Sequence, residues 1–149
     1  YQSFSSGNDR NLILLNDKNF NFIPLICYEI IYSGKINLGA HKTDFIINIS
    51  EDGWFGNSVG PYQHFSHNIF RAVEEGKNII RSANNGISAY IDGNGVIVSK
   101  LESTKKGVIE VNNYKIFNET LFSKFGNYIF FYILTFYITM ILFIKRREI

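Results

Sequence analysis

The chain has 149 residues, enough for one domain, and its 46% hydrophobic against 19% charged residues excludes a disordered segment. A net charge of +2, without a basic stretch interleaved with aromatics, gives no nucleic-acid-binding face. The single cysteine excludes an internal disulfide or a multi-cysteine metal site. The three histidines show no zinc spacing. His64 and His67 lie three apart without the intervening Glu of a metalloprotease helix, and read as polar-face or loop residues. No metal or cofactor is therefore expected.

The opening "YQSFSSGNDR" has no initiator methionine and reads as the middle of a loop, so the chain is expected to be the C-terminal piece of a longer protein. "NLILL" (11–15) and "FNFIPLIC" (20–27), joined by "NDKN", predict a β-hairpin, with the Pro24 nitrogen at an edge or bulge. After Cys27, "YEIIYSGKINLGA" reads as one or two helical turns ended by glycines. "DFIINIS" (44–50) has the composition of a buried parallel strand. A glycine-rich loop follows at 51–63. Residues 62–76 predict an amphipathic helix with Phe65, Ile69, Ala72 and Val73 inward and Ser66, Asn68, Arg71, Glu74 and Glu75 in solvent. Strands are expected at 78–84, 87–92, 96–101 and 107–112, with a turn at 93–95. Asn85-Gly86 reads as a tight turn with Gly86 at positive φ. Arg81 reads either as the partner of a carboxylate near the site or as a surface ion pair. The order of elements is that of an α/β domain with a late antiparallel section.

From 125 to 144 no residue is charged, and twenty helical residues span about 30 Å, the thickness of a bilayer's hydrocarbon core. Lys145, Arg146 and Arg147 follow. They predict a transmembrane helix at 125–144, a cytoplasmic basic tail at 145–149 and residues 1–118 on the outer face.

Cys27 admits two readings. A free cysteine is most often inert core filling. Yet Cys27 stands where a strand ends and a helix begins. There the helix dipole favours a thiolate, and the Tyr28 N–H is free to face an oxyanion. The spacing leaves both open. Glu29 points away from Cys27, and none of Lys18, Lys35 and Lys77 stands out from the solvated norm, so a complete site is not apparent.

Taken together, "ICYEII", "NISEDGWFGNSVGPYQHF" and "RAVEEGKNIIRSANNGISAYIDGNG" resemble the C-terminal half of the apolipoprotein N-acyltransferases, membrane members of the nitrilase (carbon–nitrogen hydrolase) superfamily. The resemblance covers essentially the whole chain. It implies the C-terminal half of a nitrilase-like α-β-β-α sandwich followed by one transmembrane helix, in the bacterial inner membrane. It implies Cys27 as nucleophile, the Tyr28 backbone N–H as oxyanion donor and Glu29 in support, with Trp54, Phe55 and Tyr62 on the substrate. The Glu and Lys of the family's triad would lie upstream, leaving this fragment alone inactive. The partners implied are a phospholipid acyl donor, an apolipoprotein acceptor and the bilayer. The 51–63 loop would act as a lid, hinged at Gly53, Gly56 and Gly60. One departure is Glu51, where the family usually has Asn. The alternatives are a soluble-type amidase of the superfamily, which needs neither the apolar loop nor the tail, and a membrane-anchored module without catalysis.

Overall fold

The computed structural model describes residues 12–15, 20–34, 36 and 43–147. Six strands form one mixed sheet in chain order: β1 (Ile13–Leu15), β2 (Phe20–Ile26), β3 (Phe45–Glu51), β4 (Asn78–Asn84), β5 (Ser88–Ile91) and β6 (Ile97–Leu101). The β2–β3 and β3–β4 pairs are parallel and the rest antiparallel. The first hairpin forms, with Ile13 opposite Phe22 and Leu15 opposite Phe20. The "NDKN" turn falls outside the described residues. Among the described residues, Pro24 has its strand partner, Ile47, on the β3 side.

Helix α1 (Gly60–Glu75) connects β3 to β4 and covers one face of the sheet. Ile23, Leu25, Ile46, Ile79, Ala89 and Ile91 from the strands pack there with Ile30, Ile36, Phe65, Ala72 and Ile87. Each large aliphatic side chain removed from water contributes about 1.5–3 kcal/mol.

The buried stripe of α1 differs from the expected one. Val73 is exposed, whereas Asn68, Arg71 and Glu75 are buried. Their polar partners are on the helix itself and at its edges: Asn68 donates to the His64 carbonyl (3.2 Å), Arg71 reaches the Ile31 carbonyl (3.5 Å), and Glu75 accepts from the Ser123 hydroxyl. Arg71 donates to Glu74 (2.9 Å), which also takes the Ser33 hydroxyl (3.1 Å). Lys77, expected in solvent, is buried just past the helix end.

The strand expected at 107–112 does not form. Val108 is 87% exposed, and the segment joins no ladder. Further on, Tyr114 meets Phe45 edge-to-face at 4.8 Å and Asn78 donates to the Lys115 carbonyl (2.9 Å), so side-chain contacts attach the chain here.

The connection to the tail is made at the end of α1. Thr120 caps helix α2 (Leu121–Phe125) by accepting the Ser123 N–H at 2.9 Å, and its hydroxyl donates to the Glu74 carbonyl. The Ser123 hydroxyl donates to Glu75 Oε2 at 2.9 Å. Gly126, at φ +53°, ends helix α2, so helix α3 runs Tyr128–Arg147, starting three residues inside the expected 125–144 span and including the basic residues. No part of α3 is buried, and it is long and apolar enough to cross a membrane.

Glu75 makes this joint sensitive to pH. Burial raises its carboxyl above the ordinary carboxylate range, against the hydrogen bond from Ser123. A raised native value means stability that is present below the unfolded value and lost as pH climbs through the native one. Glu75→Gln should therefore raise the melting temperature in detergent micelles more at about pH 8 than at about pH 5. A larger gain at the acidic end would contradict the assignment.

Candidate active site

The register places Ile26, Ile49 and Ser82 side by side, so β2, β3 and β4 end in one rim. Cys27 is the first residue past β2 and opens a 3-10 helix, Cys27–Ile31. Its φ is +50°, left-handed backbone in a residue with a β-carbon, at a cost of about 1–2 kcal/mol. The side chain is half-buried and lies outside the core cluster, so core filling does not describe it. The helix is between one and two turns of 3-10, the length expected, and supplies few aligned amides. Glu29 turns back and accepts the Ile26 N–H at 2.6 Å, fixing the step from strand to turn.

Beneath Cys27 lies a buried polar network. Alternate residues of β3 and its extension, Asn48, Ser50 and Asp52, are buried, and Arg81 of β4 reaches across to all three. Arg81 Nη2 donates to Asp52 Oδ2 (2.6 Å), Nη1 to Asn48 Oδ1 (2.7 Å) and Ser50 Oγ (3.2 Å), and Nε to the Ile87 carbonyl (3.0 Å). Burial lowers the guanidinium's proton affinity, and the Asp52 carboxylate opposes that shift. The other Asp52 oxygen stands 2.9 Å from His64 Nδ1, and His64 Nε2 stands 3.2 Å from the Cys27 carbonyl oxygen. The same carbonyl accepts from Asn48 Nδ2 at 3.2 Å. Hence Arg81 is the partner of a buried carboxylate, Asp52, and not half of a surface ion pair, and His64, with a side chain fully withdrawn from solvent, is no surface residue.

The network has a readable sign in the sequence. In "INISED" the polar residues Asn48, Ser50 and Asp52 recur every second position in an otherwise apolar strand, so they share a face. On a buried face such residues require partners.

Tyr28 stacks on His64 at 4.8 Å, and Phe55 lies 5.9 Å from both rings. The structure thus gathers Cys27, Tyr28 and Phe55 at one place. Trp54, on the same short turn as Phe55, is 87% exposed. Tyr62 instead lines a cavity of about 570 Å³ with Asn57, Ser58, Asn85, Ser103 and Thr104. Glu51 binds the Gly53 N–H at 2.6 Å and the amide of Asn84, tying the ends of β3 and β4 together. The Gly53 bond, then that of Asn84, holds its carboxyl below the usual range. Lys77 precedes β4, about 17 Å of strand from the Cys27 rim, and cannot serve the thiol.

The carbon-nitrogen hydrolase family model matches residues 3–112. The chain belongs to the carbon–nitrogen hydrolase family. This family's fold is also found by structural comparison. An amidase from Nesterenkonia sp. AN1, described with acrylamide added at its active-site cysteine, superposes with a TM-score of 0.50 over 67% of this chain and 41% of its own, at 15% identity. Among curated relatives, an apolipoprotein N-acyltransferase of Wigglesworthia glossinidia brevipalpis is 42% identical over 130 residues, 85% of this chain and 26% of its own. That of Rickettsia prowazekii is 41% identical over 141 residues, 91% and 28%. The chain thus spans about a quarter of the length of these relatives.

Proposed function

We propose that this chain carries the nucleophile of a bacterial apolipoprotein N-acyltransferase. The observation that carries the reading is Cys27, held half-buried on a left-handed turn at the rim of three parallel strands, within a sequence 42% identical to such enzymes over 85% of its length. The uncovered apolar helix α3 favours a lipid substrate over the small amide of a soluble amidase.

The Cys27 thiolate attacks an ester carbonyl carbon of a membrane phospholipid. The carbon–oxygen bond breaks, and the lysophospholipid leaves with a proton on its freed oxygen. The acyl chain rests on Sγ as a thioester. The α-amine of a diacylglyceryl-cysteine apolipoprotein then attacks the same carbon. The carbon–sulfur bond breaks, the amine gives up a proton and the thiolate returns. The Tyr28 N–H serves as an oxyanion donor, a contribution of about 3–4 kcal/mol for one such group. Glu29 supports the turn. Trp54, Phe55 and Tyr62 contact substrate, and the 51–63 segment acts as a lid. The general base and the oxyanion cation belong to sequence upstream of Tyr1, so the fragment alone should not turn over. Helix α3 spans the inner membrane with Lys145–Arg147 at the cytoplasmic face and the sheet on the outer side.

Mass spectrometry tests the reading. After incubation of the full-length protein with phospholipid, the peptide holding Cys27 should gain one fatty acyl group, and a diacylglyceryl peptide with a free amine should discharge it. Cys27→Ala should abolish the adduct. Its absence from the wild type, or its persistence in Cys27→Ala, would refute the assignment.

A further inference from the structure

The Cys27 carbonyl and the Tyr28 N–H belong to one planar trans peptide unit and therefore point in opposite directions. The carbonyl is pinned inward by two side chains, Asn48 Nδ2 and His64 Nε2, each at 3.2 Å. A carbonyl oxygen accepts only, so the second contact is a hydrogen bond in those forms of His64 that carry a proton on Nε2. Both pins are themselves fixed from behind. Asn48 Oδ1 accepts from Arg81, and His64 is set between Asp52 and the Tyr28 ring. Asn48 and His64 are both buried, while Tyr28 is half-exposed, so the unpinned side of this peptide is the outward one.

We propose that His64 and Asn48 are positioning residues that lock the Cys27–Tyr28 peptide plane, keeping its N–H aimed outward at the place where an oxyanion forms over Sγ. The inference rests on Cys27 being the nucleophile. Without the pins, residue 27 is expected to relax from its left-handed turn, rotating the peptide and withdrawing the donor. Neither pin touches substrate, so the loss falls on the chemical step and not on binding.

The first test measures acyl-adduct formation on the Cys27 peptide of the full-length protein, at limiting and saturating phospholipid. His64→Phe keeps a ring against Tyr28 and removes both nitrogens. The rate at saturation should fall about 100-fold with an unchanged dependence on lipid concentration. His64→Gln, whose amide can donate to the Cys27 carbonyl, should recover part of it. Asn48→Ser, which keeps an oxygen for Arg81 but lacks the reach to Cys27, should lose about tenfold and serves if His64→Phe does not fold. Wild-type rates in either folded variant, a loss confined to lipid concentration dependence, or no recovery in His64→Gln would overturn the proposal.

A second test does not use activity. Glycine tolerates φ +50° and alanine does not, so Cys27→Gly should melt a few degrees above Cys27→Ala. Adding His64→Phe should close that gap, because the turn no longer has to be left-handed. A gap that survives refutes the lock even where the wild type forms its adduct. A gap that closes upholds the lock even if no adduct is found and the acyltransferase reading fails.

Discussion

Arg81→Met should cost about 3–5 kcal/mol, lower the melting temperature by roughly 10 °C or more and remove acyl-adduct formation together with stability. Arg81 is fully buried and bridges β3, β4 and the segment before β5 through four acceptors: Asp52, Asn48, Ser50 and the Ile87 carbonyl. Methionine fills much of the volume but leaves the Asp52 carboxylate in the core without its bidentate-capable cation. Removing one partner of a buried pair is what costs most, since the other charge stays behind. Two companion variants separate the causes. Arg81→Lys retains the charge but cannot fork to four acceptors, and should recover only part of the loss. Combining Arg81→Met with Asp52→Asn should cost less than the two single losses added together, because the stranded charge is gone. Thermal melts in micelles of the wild type, Arg81→Met, Arg81→Lys, Asp52→Asn and the double variant decide this. An Arg81→Met protein melting within a degree or two of wild type would mean that the network carries no stability.

The sequence made most of the sheet legible. Alternating or continuous apolar runs bounded by turn residues marked the five longer strands, and the hairpin at β1 and β2 followed from its turn. The failure at 107–112 has a plain cause. "GVIEVN" alternates like a strand, but periodicity does not reveal whether a neighbouring edge is free to pair, and here Val108 stands in solvent. The site was half legible. The position of Cys27 at a strand end and the helix that follows could be read locally. Its second layer shows only in the alternation of Asn48, Ser50 and Asp52 along β3 and its extension, because they meet His64 and Arg81 only through the β3–β4 register and the return of α1. A helical wheel sorted α1 by polarity and so put Asn68, Arg71 and Glu75 in water. The wheel cannot know that these groups find partners on the helix itself, at Ile31 and at Ser123. Glu51 was legible as a charge beside the loop, but not as a brace accepting the amides of Gly53 and Asn84.

Gly86→Ala should destabilise the protein by about 1–3 kcal/mol and slow acyl-adduct formation, while the neighbouring Asn85→Gly should be neutral or stabilising by up to about 1 kcal/mol. The tight turn was expected to need a glycine at 86 for its positive φ. In the structure it is Asn85 that has φ +54°, so glycine there relieves strain. Gly86 is required for a different reason. A β-carbon on it would stand 2.1 Å from Asp52 Oδ2 and 2.6 Å from Asp52 Cγ. That carboxylate has little room to yield, because one oxygen holds Arg81 at 2.6 Å and the other faces His64 at 2.9 Å. Any shift passes through His64 to the Cys27 carbonyl, so the stability loss and the rate loss should appear together. The mechanism is checked by moving the obstacle. In an Asp52→Ala background the two nearest atoms, Oδ2 and Cγ, are absent and only the residue-52 β-carbon, at 2.8 Å, remains, so the added cost of Gly86→Ala should shrink below its cost in the wild type. If melting temperatures show the same penalty in both backgrounds, the glycine serves backbone conformation, and its close approach to Asp52 is incidental.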